Sequence, residues 1–269
     1  MKKIVTALTL LALVFATVSV SAQVTAKDGF YFSEAKAYSS SGWKEQVVIE
    51  VKGGKIVSVN WNGINYLGVP DKKTYAAAGG YGMAKAAKQG EWHVQAARAE
   101  AELIRLQDPA KIAIKSDGKT DAISGVTMTV KEFVDLAKVA LSSAPVAKGT
   151  YKNSGWFFAK APEFDKSGYA ATALITIVNG RIVSANWNAL NKAGGDSKVV
   201  RSIKGTYKMN AKQGEFHVQA TRVEAKLIEV QDPAKITLKA DGKTDAVSGV
   251  SITVNEFIAV AIEALKKAK

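Results

Sequence analysis

The sequence predicts an α+β protein made of two tandem copies of one small domain, each with an antiparallel hairpin and two main helices. Three observations carry this. The chain repeats itself: Gly53-Gly54-Lys55-Ile56-Val57-Ser58-Val59-Asn60-Trp61-Asn62 matches residues 179–188 at an offset of 126, and Tyr81 and Met83 match Tyr207 and Met209 at the same offset. Residues 87–96 match 211–220 at an offset of 124, so the pattern is a tandem duplication with a short deletion. Apolar and polar residues alternate on either side of Gly53-Gly54 and of Asn179-Gly180, which is the period and turn chemistry of a β-hairpin. Segments of helical period follow each hairpin, so strands and helices are mixed within each copy.

The copies span residues 27–144 and 148–269, a common domain size. The joint, Ser142-Ser143-Ala144-Pro145-Val146-Ala147, has the small-residue and proline content of a linker. In the first copy a short strand is expected near 30–33, then hairpin strands over 46–52 and 55–61; their counterparts are 171–178 and 181–187. A Gly- and Lys-rich loop covers 62–89, long enough to suggest function. A helix is predicted over 91–107, with Val94, Ala97, Ala101 and Ile104 on one face and Asp108-Pro109 as its stop. Residues 111–115 are expected to form a strand and 116–119 a turn. The last helix starts near Val130, with Phe133, Ala137, Ala140 and Leu141 inward. Thr129-Val130-Lys131-Glu132 and Thr253-Val254-Asn255-Glu256 match the capping-box pattern.

Composition bounds the chemistry. A hydrophobic content of 47% over 269 residues supports a packed core. Residues 1–22 have the form of a signal peptide: Lys2 and Lys3, an apolar run over 4–20, then Val20-Ser21-Ala22 ahead of Gln23, with Val24-Thr25-Ala26 as a second cleavage site. The alternative is an uncleaved membrane anchor. The chain is therefore expected to be exported: periplasmic, cell-surface or secreted. Loss of Lys2 and Lys3 lowers the net charge from +13 to +11. That charge favours anionic membrane surfaces, acidic proteins or a phosphate-bearing ligand, and nucleic acid is not expected as a partner of an exported chain. Absence of cysteine excludes disulfides, a lipidated cysteine, iron–sulfur clusters and c-type haem. His93 and His217 fall one per repeat, so no metal cluster is expected. Redox chemistry would require an organic cofactor.

One stretch stands out. Asp121-Ala122-Ile123-Ser124-Gly125-Val126-Thr127 returns as Asp245-Ala246-Val247-Ser248-Gly249-Val250-Ser251. Each copy ends in a hydroxyl just ahead of a helix, and Gly125 and Gly249 permit backbone angles closed to other residues. Two readings stand: a lead-in to a capped helix, or an attachment point where a phosphate ester would lie near free helix amides.

The stretch resembles the flavinylation signature of the FMN-binding domain family, Asp-x-x-(Ser/Thr)-Gly-Ala-(Thr/Ser). With the Gly-Lys-Ile-Val hairpin, Tyr-Gly-Met at 81–83, Glu-Trp-His-Val-Gln-Ala at 91–96 and Gln-Asp-Pro at 107–109, the whole pattern resembles the tandem-domain extracellular electron-transfer flavoproteins of that family. The resemblance implies that a flavin transferase takes FMN from FAD and esterifies its phosphate to Thr127 and to Ser251, up to two per chain. Asp121, Ser124, Gly125, Asp245, Ser248 and Gly249 would form the recognition motif. Val126 and Val250 depart from the usual Ala, and Ser251 from the commoner Thr. The expected function is an extracytoplasmic electron carrier serving membrane or soluble redox partners, more than a turnover enzyme, with no catalytic residues assigned. The alternatives are a flavin-free secreted surface or binding protein that keeps the fold, and an exported flavin-dependent reductase. Trp61, Trp187, Trp92, Phe216, Tyr81, Met83, Tyr207 and Met209 are candidates for stacking on a flat ligand or for plain core packing. His93 and His217 are candidates for tuning the flavin or for structural hydrogen bonds. Glu100, Glu102, Glu224 and Glu229 are expected on solvated helix faces.

Overall fold

The alternating segments form two separate three-stranded antiparallel sheets in the computed structural model, which describes residues 24–269. The expected leader over 1–22 and its first cleavage point lie outside the described residues. In the first half, β1 (Gly29–Glu34), β2 (Trp43–Lys52) and β3 (Lys55–Asn65) pair in that order, followed by α1 (Lys72–Ala77), α2 (Trp92–Leu106) and α3 (Lys131–Ser142). The second half repeats this as β4 (Gly155–Lys160), β5 (Tyr169–Val178), β6 (Arg181–Asn191), α4 (Lys198–Ile203), α5 (Phe216–Val230) and α6 (Asn255–Leu265). The α+β class therefore holds. Asn179 takes a left-handed φ of 51° and Gly180 one of 74° at the second hairpin turn, as a tight turn of this kind requires. Both sheets carry an irregularity at the same place, between Glu50 and Val51 and between Thr176 and Ile177. No helix among the described residues is long and apolar enough to cross a membrane.

Three expectations change. The loop over 62–89 contains α1, capped by the Asp71 carboxylate on the Thr74 amide. Residues 111–115 form no strand; they leave a short 3-10 turn at Pro109–Lys111 and find no sheet edge beside them. The buried face of α2 is Trp92, Gln95, Ala96, Ala99, Glu100 and Leu103, not Val94, Ala97, Ala101 and Ile104. Two polar residues on that face obscured it, because each is buried to bond backbone elsewhere. Glu100 accepts the Trp61 amide at 2.6 Å and pairs with Lys73 at 2.6 Å.

Each sheet packs its helices on one face. In the first half Val47, Ile49 and Val51 of β2 meet Ala96, Ala99, Leu103, Phe133 and Ala137. The other faces of the two sheets meet each other. Every residue of β5 is buried, since one side contacts helices and the other contacts the first half. That second contact is polar. The Gln46 carbonyl accepts Trp156 Nε1 at 2.6 Å and Thr176 Oγ1 at 3.0 Å. Glu34 accepts the Gln46 amide at 2.5 Å and Ser184 Oγ at 2.6 Å, so each buried polar group finds a partner, as it must.

Beside these bonds lies a cavity of about 360 Å³ lined by Tyr38, Lys44, Asn186, His217 and Glu224, among others. Glu224 is the counterpart of Glu100 and accepts the Trp187 amide at 2.6 Å. Val199 stands where Lys73 stands in the first half, so Glu224 lacks that ion pair. Burial pushes its carboxyl up to about 8, against the pull of the Trp187 amide and Lys44. The folded value lies above the ordinary 4.5, so the native state holds this proton more tightly than the unfolded chain. Stability on this account is full below the unfolded value and falls as pH rises toward 8. Glu224→Gln should be close to wild type in stability at about pH 4 and more stable than wild type by ~1–3 kcal/mol at about pH 9. Urea melts of both proteins across this range check it; an equal difference at both ends would refute it.

Candidate functional site

The repeated seven-residue stretch is held from three directions. Below it, the turn at 116–119 is closed by the Lys115 amide on the Lys119 carbonyl at 2.8 Å. The Gly118 carbonyl of that turn accepts the amides of Val130 and Lys131, at 2.8 and 3.1 Å. Val130 is thus the N-cap of α3, with no side-chain cap bond. Gly242 does the same for Val254 and Asn255, at 2.8 and 3.3 Å. The expected capping boxes do not form, because a backbone carbonyl fills the role assigned to Thr129 and Thr253. Thr127 and Ser251 therefore lie three residues ahead of the N-cap, and the first amide of each helix, that of Lys131 or Asn255, is already engaged.

From the side, Gln95 of α2, fully buried, accepts the Thr127 amide at 2.8 Å, the Thr127 hydroxyl at 3.3 Å and the Met128 amide at 3.4 Å. Its own amide group donates to the Gly90 carbonyl at 3.1 Å, which fixes the side chain's orientation. Gln219 repeats this on the Ser251 amide at 2.7 Å, the Ser251 hydroxyl at 3.3 Å and the Ile252 amide at 3.3 Å. From above, Arg98 donates to the Gly125 carbonyl at 2.6 Å, and Arg222 to the Gly249 carbonyl at 2.6 Å. Gly125 has a φ of 75°, and a Cβ there would stand 2.9 Å from the Arg98 guanidinium. Backbone angle and close approach both call for glycine.

With the loop fixed, its side chains sort by face. Thr127, Asp121, Ser124, Asp245 and Ser248 are exposed, and Ser251 is partly so. Asp121 pairs with Lys115 at 2.9 Å and Asp245 with Lys239 at 3.2 Å, exposed pairs of little energetic weight. Val126 is 6% exposed and belongs to the first core, and Val250 packs against the second. The methyl groups that distinguish them from alanine point inward, away from the exposed hydroxyls.

Met128 and Thr129 then border a cavity of about 400 Å³, walled by Trp61, Tyr81 and Trp92 and by Glu45, Lys72 and Glu132. Trp61 is 2% exposed; it stacks on Phe133 at 4.8 Å and meets Trp92 edge-on at 5.2 Å. It is at once core and cavity wall. Glu45 accepts Trp61 Nε1 at 2.8 Å and pairs with Lys72 at 2.5 Å. Lys72 Nζ lies 4.2 Å from the centre of the Trp92 ring, a cation–π distance. Burial, then repulsion from Glu45, raises the Glu132 carboxyl above its usual range, while Lys72 pulls it down. In the second half Trp187 stacks on Phe257 at 5.0 Å and meets Phe216 edge-on at 5.3 Å.

The histidines stand apart from these walls. His217 Nδ1 bonds Ser202 Oγ at 2.9 Å; Ala76 replaces that serine in the first half, and His93 Nδ1 is buried without a partner. Gln95, Arg98, Gln219, Arg222, Glu45 and Lys72 were not singled out from the sequence. Gln95 and Arg98 recur at the offset of 124, and Lys72 recurs as Lys198 at 126, which is the signal that would have found them; Glu45, with Ala171 as its counterpart, carries no such signal.

Gln95→Ala should unlatch the loop. The Thr127 amide loses its acceptor inside the fold, a loss of ~1–3 kcal/mol. Amide exchange at Thr127 and Met128 should accelerate with little change in β2 and β3; unchanged exchange at those two amides would refute the latch.

No family model matches the chain, and no curated protein matches it. Solved structures match part of it. A solution NMR structure of a protein from Clostridium thermocellum is 46% identical in sequence; the match covers 44% of this chain and 92% of that one, with a TM-score of 0.36. A crystal structure of a protein from Clostridium perfringens is 23% identical; the match covers 43% of this chain and 88% of that one, with a TM-score of 0.34.

Proposed function

We propose that the chain is an exported flavoprotein of the FMN-binding domain type, an extracytoplasmic electron carrier with FMN esterified to Thr127 and to Ser251. The observation that carries this reading is made in the first half, where an accessible hydroxyl, latched by a buried glutamine, lies next in sequence to Met128 and Thr129 on the rim of an aromatic-walled cavity; the Ser251 site repeats the latch. The residues present fit the group. Thr127 offers the ester oxygen, Gln95 and Arg98 fix the loop that presents it, and Trp61, Tyr81 and Trp92 offer flat apolar walls for an aromatic ring. Bound FMN supplies the electron-accepting chemistry, while the protein sets its position and electrostatic surroundings. A covalent link suits a dilute extracellular setting: even a nanomolar ligand, worth about −12 kcal/mol, is lost on dilution, whereas an ester is not. Asp121, Ser124 and Gly125, with Asp245, Ser248 and Gly249, form the motif that a flavin transferase would read, and all four of the side chains are exposed to it.

Co-expression with a flavin transferase, followed by intact-mass measurement, tests the proposal. Two FMN additions, mapped to the peptides holding Thr127 and Ser251, are expected. No addition with a competent transferase would overturn it and leave the flavin-free binding protein as the reading.

A further inference from the structure

The two halves differ where charge would be felt most. In the first, the Lys72 ammonium sits among the rings of Trp43, Tyr81 and Trp92, at 5.8, 5.2 and 4.2 Å. It is neutralised there by Glu45 at 2.5 Å. In the second, Lys198 sits in an equivalent cage, 4.8 Å from the centre of Tyr169, 5.1 Å from Tyr207 and 4.7 Å from Phe216. Its carboxylate partner is missing, because Ala171 occupies the position of Glu45. Among the described residues no carboxylate lies within ion-pair distance of Lys198, although ten other such pairs form.

The surroundings reinforce the difference. Arg201 stands where the first half has Tyr75, and it donates to the Tyr169 hydroxyl at 2.7 Å. Two carboxylates act on Lys198 from farther off, Asp165 and Glu256, and they offset only part of the burial that lowers its pKa. Glu256 is the counterpart of Glu132, so it adds nothing new to the second site; Asp165 replaces Ser39. Around the first cage the charged side chains are Lys72, Glu45, Glu132 and Glu91; around the second they are Lys198, Arg201, Asp165, Glu256 and Glu215. Both sets are net negative, the first by one charge more, and only the second leaves its lysine uncompensated at contact range.

We propose that the second cage is a cationic site that favours the negatively charged form of an aromatic ligand, and that the first is its charge-compensated twin. This rests on the flavin reading above when the ligand is FMN. Reduction of each ring by dithionite, which is oxidised to sulfite, adds two electrons and one proton and leaves one negative charge on the ring. A contact-range ammonium without a counter-ion stabilises that charge; one already paired with a carboxylate does so much less. A flavin on Ser251 whose ring lies against the second cage therefore has the more positive midpoint potential, and electrons entering the chain accumulate there first.

Two measurements test this. In the protein without flavin, limited acylation with acetic anhydride and peptide mapping should label Lys198 several-fold faster than Lys72. Glu45→Gln, which keeps an acceptor for Trp61 Nε1, should speed labelling of Lys72, and Ala171→Glu should slow that of Lys198. In the flavinylated protein, Ser251→Ala and Thr127→Ala each isolate one flavin for dithionite titration. The Ser251 flavin should titrate first, Ala171→Glu should shift it negative and Glu45→Gln should shift the Thr127 flavin positive. Equal labelling that neither swap alters would overturn the charge difference. Labelling as expected with equal or inverted potentials would overturn its effect on the ligand. Absence of any flavin would count against the function above, and the labelling result would still decide the charge difference.

Discussion

Thr127→Ala, expressed with a competent flavin transferase, should carry one FMN in place of two, with the remaining group on Ser251. Ser251→Ala should give the reverse, and the double variant none. The effect is complete, since no neighbouring hydroxyl is presented in the same way. Thr129 is exposed but lies beyond the Gln95 latch, and Ser124 lies on the far side of Gly125. Folding should be almost unchanged: the Thr127 hydroxyl makes one long bond, at 3.3 Å, to an acceptor that keeps the 2.8 Å amide bond. Urea melts should differ from wild type by less than ~1 kcal/mol. Loss of both flavins from Thr127→Ala would show that the two sites mature in an obligatory order; retention of both would remove Thr127 as an attachment point.

Trp61→Ala should destabilise the first half by ~3–5 kcal/mol, the range for truncating a large buried aromatic. The indole is 2% exposed, and its removal empties the space between Phe133 and Trp92. It also takes from Glu45 one of two partners, leaving a buried carboxylate held by Lys72 alone. Trp61→Phe should recover most of the packing and isolate the lost Nε1 bond. Trp187→Ala should cost a similar amount without the second penalty, because Ala171 offers no acceptor. Urea denaturation of the four proteins checks the order; a Trp61→Ala loss under ~1 kcal/mol would mean that the cavity, and not the core, owns this residue.

Much of the fold was legible because period and turn chemistry dominate it. The hairpins followed from alternation around Gly53-Gly54 and Asn179-Gly180, and the duplication from repeated strings. What escaped was governed by bonds between residues far apart in sequence. Thr129 has the form of an N-cap, yet Gly118, eleven residues earlier in chain order, supplies the acceptor. The α2 face was misread because Gln95 and Glu100 are buried polar residues, and a hydrophobic pattern discards such positions. Glu100 and Glu224 were expected in solvent; the first is buried, and the second is enclosed enough to raise its pKa. At the candidate site the seven-residue stretch itself was readable, but its two supports, glutamine and arginine, lie on a helix more than twenty residues away.

The polar contact between the two sheets has a consequence for traffic. Because the sheets meet through Gln46, Glu34, Thr176 and Ser184, the helix layers face outward in opposite directions, and Thr127 and Ser251 go with them through Gln95 and Gln219. A bulky visitor seated at one hydroxyl leaves the other open. If the chain carries electrons as proposed, it can be held to a surface by either flank and still offer the opposite hydroxyl to a soluble partner.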